Sequence, residues 1–347
     1  MMRKFSIQHS IALIMAMAPL VSACFPGASQ GAEPVNALAC RLANYRQFQD
    51  TAWTHLPEIG FKYVFMDVPS PDQVEATKRK LARHGLTAVV LHGNTDLSRP
   101  SSVNELAVQL ETCEKMGVKF MFLSPKHTGV PKEVAYKRLR RAGDIARKHG
   151  VTISLETHPD LGTNGDIHLE TMKQINHPNV RVNFDTGNIT FYNKNTDAPT
   201  ELKKVIDYVA TVELKEHNGR LGTWNFPTFG QGVVNFPSVL RILEEHNYRG
   251  PITIEIEGVQ GIPWDEVQTK KAISDSAAYV RSLGRFGRLI ARTYNSGFEL
   301  AHDTYNGMST GSDGRIYYVL SSESYKIGAQ MYCYDPATNK IRHLGDL

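Results

Sequence analysis

From Ala37 to about Arg285 the chain repeats one unit eight times: a short apolar run of strand character, then a stretch with helical periodicity. The strand candidates are residues 37–42, 62–68, 87–92, 118–123, 151–156, 180–185, 211–215 and 252–257. Between them apolar residues recur at i, i+3 and i+4. In PDQVEATKRKLARHG, Gly85 stands where a helix should end. PKEVAYKRLRRAGDIARKHG opens at Pro131 and stops at Gly150, and DEVQTKKAISDSAAYVRSLG supplies the eighth helix. Eight such units in about 250 residues predict an α/β fold, a closed (β/α)8 TIM barrel, over residues 35–288. No glycine-rich phosphate loop follows the first strand, which argues against a doubly wound open sheet.

Residues 289–347 break the rhythm. SDGRIYYVLSSE and GAQMYCYDPATNKIRHL are alternating segments joined by turn residues, which predicts a short antiparallel β segment after the barrel. Tyr334-Asp335-Pro336, followed by Thr338 and Lys340, resembles part of one β-propeller blade. A single blade cannot bury its own faces. The tail is therefore expected either to dock on the barrel or to belong with a fused or partner propeller.

The other end carries an address rather than a fold. Basic residues in the first four positions precede an apolar run at 11–21, so residues 1–32 read as a secretory signal peptide. Val21-Ser22-Ala23-Cys24 resembles a lipobox, with cleavage before Cys24 and a lipid anchor on its sulfur; a cysteine that merely follows the cleavage region is the alternative. The expectation is an exported protein, periplasmic or held at the membrane as a lipoprotein. Lys and Arg number 39 against 35 acids, too even a balance for a nucleic-acid partner. Cys40, Cys113 and Cys333 lack metal-ligand spacing and imply buried thiols, not a disulfide scaffold. The basic clusters Lys78-Arg79-Lys80 and Arg138, Arg140, Arg141 fall within helical patterns, as solvated outer faces.

The last four strands are unusual. Val151, Ile153 and Leu155 alternate with Thr152, Ser154 and Glu156; Val182 and Phe184 with Arg181, Asn183 and Asp185; Val212 and Leu214 with Glu213 and Lys215; Ile252, Ile254 and Ile256 with Thr253, Glu255 and Glu257. The apolar faces suit the helical shell, so the polar faces must look into the barrel. Each strand then sets a carboxylate at or near its carboxyl end, where barrels of this kind build their sites. Two carboxylates about 4 Å apart repel by roughly 4 kcal/mol at an effective dielectric of 20. Lys215 can neutralise one. A divalent cation bound by Glu156, Asp185, Glu213 and Glu255 would settle the rest, and an all-oxygen set points to Mn²⁺ or Mg²⁺. The alternative is a buried salt-bridge network in which Arg181, Lys215 and the histidines pair these acids.

These residues resemble the xylose-isomerase-like barrels, the group of sugar phosphate isomerases/epimerases and family 2 AP endonucleases. The resemblance runs from about Ala37 to Gly258 and rests on Glu156 in SLETH, Asp185 in NFDTGN and Glu255 in ITIEIEG, with FPTFGQGVVNFPSVLRILEEHNYRG leading into the last. It implies one divalent metal held from strands five to eight, with the strand-five and strand-eight glutamates exchanging protons with substrate. Where the family carries His-x-Lys-Asp on strand seven, this chain has Glu213-Leu214-Lys215-Glu216. Glu213 thus takes the place of a histidine ligand, or His217, farther along the same face, serves instead. Asn188, Gln231 and Asn235 also depart from the family pattern, which argues against a three-metal endonuclease site.

The function this implies is a metal-dependent sugar isomerase or epimerase that moves a proton next to the carbonyl of a sugar or sugar-like hydroxyketone. Glu156, Glu255 and Lys215 are the expected catalytic residues. His92, His158, His217 and Trp224 are expected around the substrate. Two other readings stand beside it: a non-catalytic carbohydrate-binding barrel, and a keto-sugar lyase or dehydratase working from the same metal site.

Overall fold

The structure, a computed structural model, describes residues 36–284 and 295–347 except positions 303, 305, 306, 336, 337 and 339. The expected signal peptide and Cys24 lie outside the described residues.

Eight parallel strands close into a barrel: β1 Leu38–Arg41, β2 Tyr63–Asp67, β3 Thr87–Gly93, β4 Phe120–Leu123, β5 Thr152–Glu156, β6 Val180–Asp185, β7 Val209–Lys215 and β8 Ile252–Glu255. Closure is made by β1 against β8, with Leu38 opposite Ile252 and Cys40 opposite Ile254. Along β5 to β8 the period-two pattern separates the faces as expected. Ile153, Val182, Val212, Leu214, Ile252 and Ile254 are buried beneath the helices. The polar positions point inward, and register sets Asp185 opposite Glu213 and Lys215 opposite Glu255.

Around the barrel run α1 Ala52–Glu58, α2 Val74–Arg83, α3 Ser102–Met116, α4 Lys132–Lys148, α5 Gly165–Ile175, α6 Thr186–Tyr192, α7 Ala198–Val205, α8 Phe236–Glu245 and α9 Glu266–Ser282. Gly85 and Gly150 each follow a helix end with φ of 65°, the left-handed turn that glycine adopts without strain. Asp265 and Gln268 form a reciprocal capping box at the start of α9. Two departures have local causes. The β6–β7 connection holds two helices, because Asp185 caps α6 and Asp197 caps α7 through the amide of Thr200. After β1 the chain first makes a 3₁₀ segment, Leu42–Thr51, in which Arg46 has φ of 51°. Arg140 is exposed, as expected of a solvated face, and also donates to the carbonyls of Gln174 and Ile175 at the end of α5.

The chain divides into two compact units, residues 1–288 and 289–347. In the second, β9 Met308–Thr310, β10 Ile316–Leu320, β11 Gln330–Asp335 and β12 Lys340–Asp346 form one four-stranded antiparallel sheet in sequence order. Tyr318 stacks on Tyr332 across it, with ring centroids 5.5 Å apart. Cys40, Cys113 and Cys333 are free and buried.

Candidate active site

Above β7 and β8 the connections cross the barrel mouth. Residues Asn225–Phe226 pair antiparallel with Gly258–Val259, tying the long β7–α8 loop to the chain leaving β8. Glu216 anchors that loop from below: its buried carboxylate accepts from the amides of Gly230, Val234 and His217 at 2.9, 3.0 and 3.1 Å. His217 is committed to the same loop. Its Nδ1 bonds Thr190 Oγ1 at 2.8 Å and its Nε2 donates to the Thr223 carbonyl at 3.0 Å. Burial lowers its pKa, so the ring stays neutral. With both nitrogens spent on structure, the structure does not offer His217 as a ligand or a substrate contact.

Beneath the loop lie the acids. Asp185 Oδ1 accepts from the amides of Gly187 and Asn188, each at 2.9 Å, so the first turn of α6 fixes the carboxylate. Its Oδ2 faces Lys215 Nζ at 3.5 Å. Glu213 is fully buried; it accepts from Arg41 Nη1 at 3.1 Å and from Asn183 Nδ2 at 2.9 Å. Glu255 pairs with Arg41 through Oε1 and with Lys215 through Oε2, the latter at 3.1 Å. Lys215 also reaches Glu257 at 2.5 Å. Glu156 is partly buried, with Asn188 Nδ2 3.4 Å from Oε1.

Sequence reasoning missed Arg41, the cation that joins Glu213 to Glu255 and rests over Phe65 and Phe122. A lone basic residue ending the small-residue run ALACR was its only trace. Arg181, weighed as a partner for the acids, instead donates to the His177 carbonyl at 3.3 Å and lies over Tyr208.

Five carboxylates, Glu156, Asp185, Glu213, Glu255 and Glu257, thus share two cations, Arg41 and Lys215. Burial dominates their protonation. It pushes the Asp185 carboxyl up to about 8 against the pull of Lys215, with Glu255 adding to the rise. Burial, then the charge of Glu255, raises Glu213 well above the usual range. Glu255 goes the other way: its burial is overcome by Arg41 and Lys215, which hold it down to about 2. Burial disfavours the Lys215 ammonium too, yet Asp185, Glu255 and Glu257 together raise its pKa well above the ordinary value. Lys215 is therefore a fixed positive charge.

One oxygen each from Glu156, Asp185 and Glu213 lies within 4.8 Å of the others. Glu255, expected as a fourth ligand, is not of that group, since its oxygens face Arg41 and Lys215. Asp185 Oδ2 is buried without a hydrogen bond among the described residues, Lys215 Nζ standing 3.5 Å away. Acid in excess of cation, hard oxygen donors at close range and the unbonded Oδ2 of Asp185 together fit a divalent cation.

The remaining expected residues ring the mouth. His92 Nδ1 lies 3.1 Å from Asp67 and 3.5 Å from Arg41 Nη2, beside a cavity of about 220 Å³. His158 Nδ1 donates to the Pro159 carbonyl at 2.8 Å, and its ring meets Tyr192 edge-on. Trp224, 42% exposed, braces on Phe191 and Phe226 and lines a larger cavity of about 890 Å³ with Arg41, Glu255 and Glu257.

Residues 54–283 match the profile of the family described as xylose isomerase-like TIM barrel. Among curated proteins, an L-ribulose 3-epimerase of Methylomonas sp. (strain DH-1) is 32% identical over 125 residues, 34% of this chain and 39% of that protein. An inosose dehydratase of Histophilus somni is 21% identical over 238 residues, 58% of this chain and 77% of that protein. Of most of the curated relatives it matches, the chain spans less than half the length. Among solved structures, the D-psicose 3-epimerase of Clostridium cellulolyticum H10 with D-tagatose superposes with TM-score 0.59 at 16% identity, covering 71% of this chain and 99% of that one. A xylose isomerase-like TIM barrel protein of Mycobacterium smegmatis in complex with magnesium gives TM-score 0.56 at 17% identity, covering 74% and 98%. Likeness at this level of identity establishes the fold.

Proposed function

Because the chain belongs to the xylose isomerase-like TIM barrel family, we propose that it is a metal-dependent isomerase or epimerase acting on a sugar or sugar-like hydroxyketone. The observation that carries the reading is the convergence of Glu156, Asp185 and Glu213 within 4.8 Å at the carboxyl ends of neighbouring strands. Those three residues would hold the cation, and their all-oxygen donor set favours Mn²⁺ or Mg²⁺. When bound, such a cation supplies Lewis-acid polarisation of the substrate carbonyl.

The chain's own groups do the rest. Glu255 is kept ionised by Arg41 and Lys215 and takes the proton next to the carbonyl. Glu156 projects from the other side of the mouth, beyond β6 and β7, and returns a proton. Return to the same carbon inverts it; return to the former carbonyl carbon gives the aldose–ketose exchange. Lys215 keeps its own proton and offsets negative charge that builds on the substrate oxygen. Trp224 offers a ring face on which a sugar can stack, while His92 and His158 stand where substrate hydroxyls would reach. Sugar-acting relatives support this reading: the names of the similar epimerases and of structures with D-tagatose and D-allulose give the substrate type.

The test is solvent deuterium incorporation into a panel of ketoses by Mn²⁺-supplied protein, beside metal analysis of the purified chain. Exchange without loss of water supports the proposal; no exchange in any member of a broad panel sinks it. A second reading is a dehydratase, favoured by the inosose dehydratases among the relatives. It predicts a dehydrated product from the same proton abstraction. A non-catalytic sugar-binding barrel, which the engagement of both Glu213 oxygens favours, predicts sugar binding with no tightly held metal.

Export, a lipid on Cys24 and a propeller partner for the four-stranded sheet belong to the same proposal. Loss of palmitate labelling in Cys24→Ala would support the anchor; labelling that survives the change would refute it.

A further inference from the structure

Two arginines line the large cavity, and they differ in what they hold. Arg41 is paired with Glu213 and Glu255. Arg46 makes no ion pair among the described residues, yet its placement is tightly specified. Its backbone φ of 51° is one that residues with side chains seldom adopt. Its Nη2 donates to the Glu257 carbonyl, and its guanidinium lies 5.5 Å from the Trp264 ring centroid. Gly258 completes the seat. A Cβ there would come within 2.5 Å of Arg46 Nη2, so a side chain at that position would expel the guanidinium. Glu257 thus serves both levels: its carboxylate pairs with buried Lys215 while its carbonyl fixes Arg46 above.

That hydrogen bond is the one the Arg46 side chain makes among the described residues, and the exposed guanidinium borders the cavity of about 890 Å³ shared with Arg41, Glu255 and Glu257. A planar fork of N–H donors, braced and unpaired, matches a carboxylate or a phosphate in two-point contact. The acid-rich floor of the same cavity repels an anion. An anionic substituent would therefore be drawn to Arg46, and the other end of the molecule turned toward Glu255.

We propose that Arg46 is a specificity residue that receives an oxyanion, carboxylate or phosphate, carried by the substrate away from its reacting carbon. The inference rests on the sugar-site reading above and adds the class: an anionic sugar. It is tested by calorimetric titration of the full chain, supplied with Mn²⁺, with D-glucuronate against D-glucose and with D-ribulose 5-phosphate against D-ribulose. In at least one pair the anion should bind about tenfold more tightly, the usual worth of a charge-assisted contact, and the advantage should shrink as salt is raised. The pair that responds identifies the oxyanion. Arg46→Gln should cut the ratio to within about twofold, whereas Arg46→Lys should keep part of it. Thermal melts of both variants accompany the titrations. A merely structural clamp predicts a lowered Tm in Arg46→Gln with anion and neutral sugar weakened alike, and that result overturns the inference. So does a neutral sugar that binds as tightly as its anion in both pairs. Failure of every sugar to bind would instead remove the sugar-site reading, and this inference with it.

Discussion

Arg41 Nη1 stands 3.1 Å from Glu213 Oε1, an ion pair between the first strand of the barrel and the seventh. Glu213 is fully buried and Arg41 largely so, with 0% and 12% of their side-chain surface exposed. A buried pair contributes little over an apolar replacement, but a buried charge left without its partner is costly. Arg41→Ala should therefore destabilise the fold by about 3–5 kcal/mol in urea or guanidinium unfolding. Glu213→Gln in the same chain should restore part of the loss, because the stranded carboxylate is gone. Additive single and double variants would show that the pair is not coupled.

The acids give stability an unusual dependence on pH. Asp185 titrates near 8 in the fold and near 3.8 as an ordinary carboxyl, so between those values the folded chain holds a proton that the unfolded chain has released. Unfolding then releases protons, and stability falls as pH rises through that window before levelling above about 8. Glu255, depressed to about 2, acts oppositely and only in acid: its contribution is present above the ordinary 4.5 and fades as pH drops toward 2. A divalent cation must displace the proton on Asp185, so it binds more tightly at higher pH. Melting curves in chelator and in Mn²⁺ should diverge from pH 5 to pH 8.5, the gap widening with pH. A gap that is constant or narrows contradicts the shared site.

How much of this was legible depended on distance along the chain. Period-two alternation showed which face of VTISLE, VRVNFD and ITIEIE entered the barrel, because burial on both sides leaves polar residues only one interior to share. Spacing by one βα unit placed Glu156, Asp185 and Glu213 on neighbouring strands. Arg41 was hidden because its partners sit 172 and 214 residues away, across the seam that only ring closure creates. His217 misled for the converse reason. It shares the inward face with Lys215, but the chain has left the strand there, and Thr190 and Thr223 claim its nitrogens.

Glu156 and Glu255 divide the proton transfer in the proposed chemistry, so either change to glutamine should cripple it. Each substitution should lower the rate of solvent isotope exchange by about 10²- to 10⁴-fold, with KM changed far less. Glu156→Gln should fold as before, while Glu255→Gln removes a buried partner of Arg41 and Lys215, so its melting curve is taken beside the rate. If one variant exchanges at the full rate, that carboxylate is not a proton carrier. If both do, the two-base scheme is wrong.

Glu216 offers a sharper separation of structure from chemistry. It lies next to Lys215, yet its carboxylate accepts from three backbone amides of the segment that carries the loop over the mouth. Burial raises its pKa while those amides pull it down, so the ionised form depends on the loop being in place. Glu216→Ala leaves the N–H groups of buried His217, half-buried Val234 and exposed Gly230 without their acceptor, at about 1–3 kcal/mol for each group that water cannot reach. The loop should respond by opening rather than by shifting: amide exchange at Gly230 and Val234 should quicken strongly, while the amides of β2 and β3 stay protected. Binding of any ligand that stacks on Trp224 should weaken with it, since the loop positions that ring. Unchanged exchange at Gly230 and Val234 would mean that the pairing of Asn225–Phe226 with Gly258–Val259 holds the loop without help from Glu216.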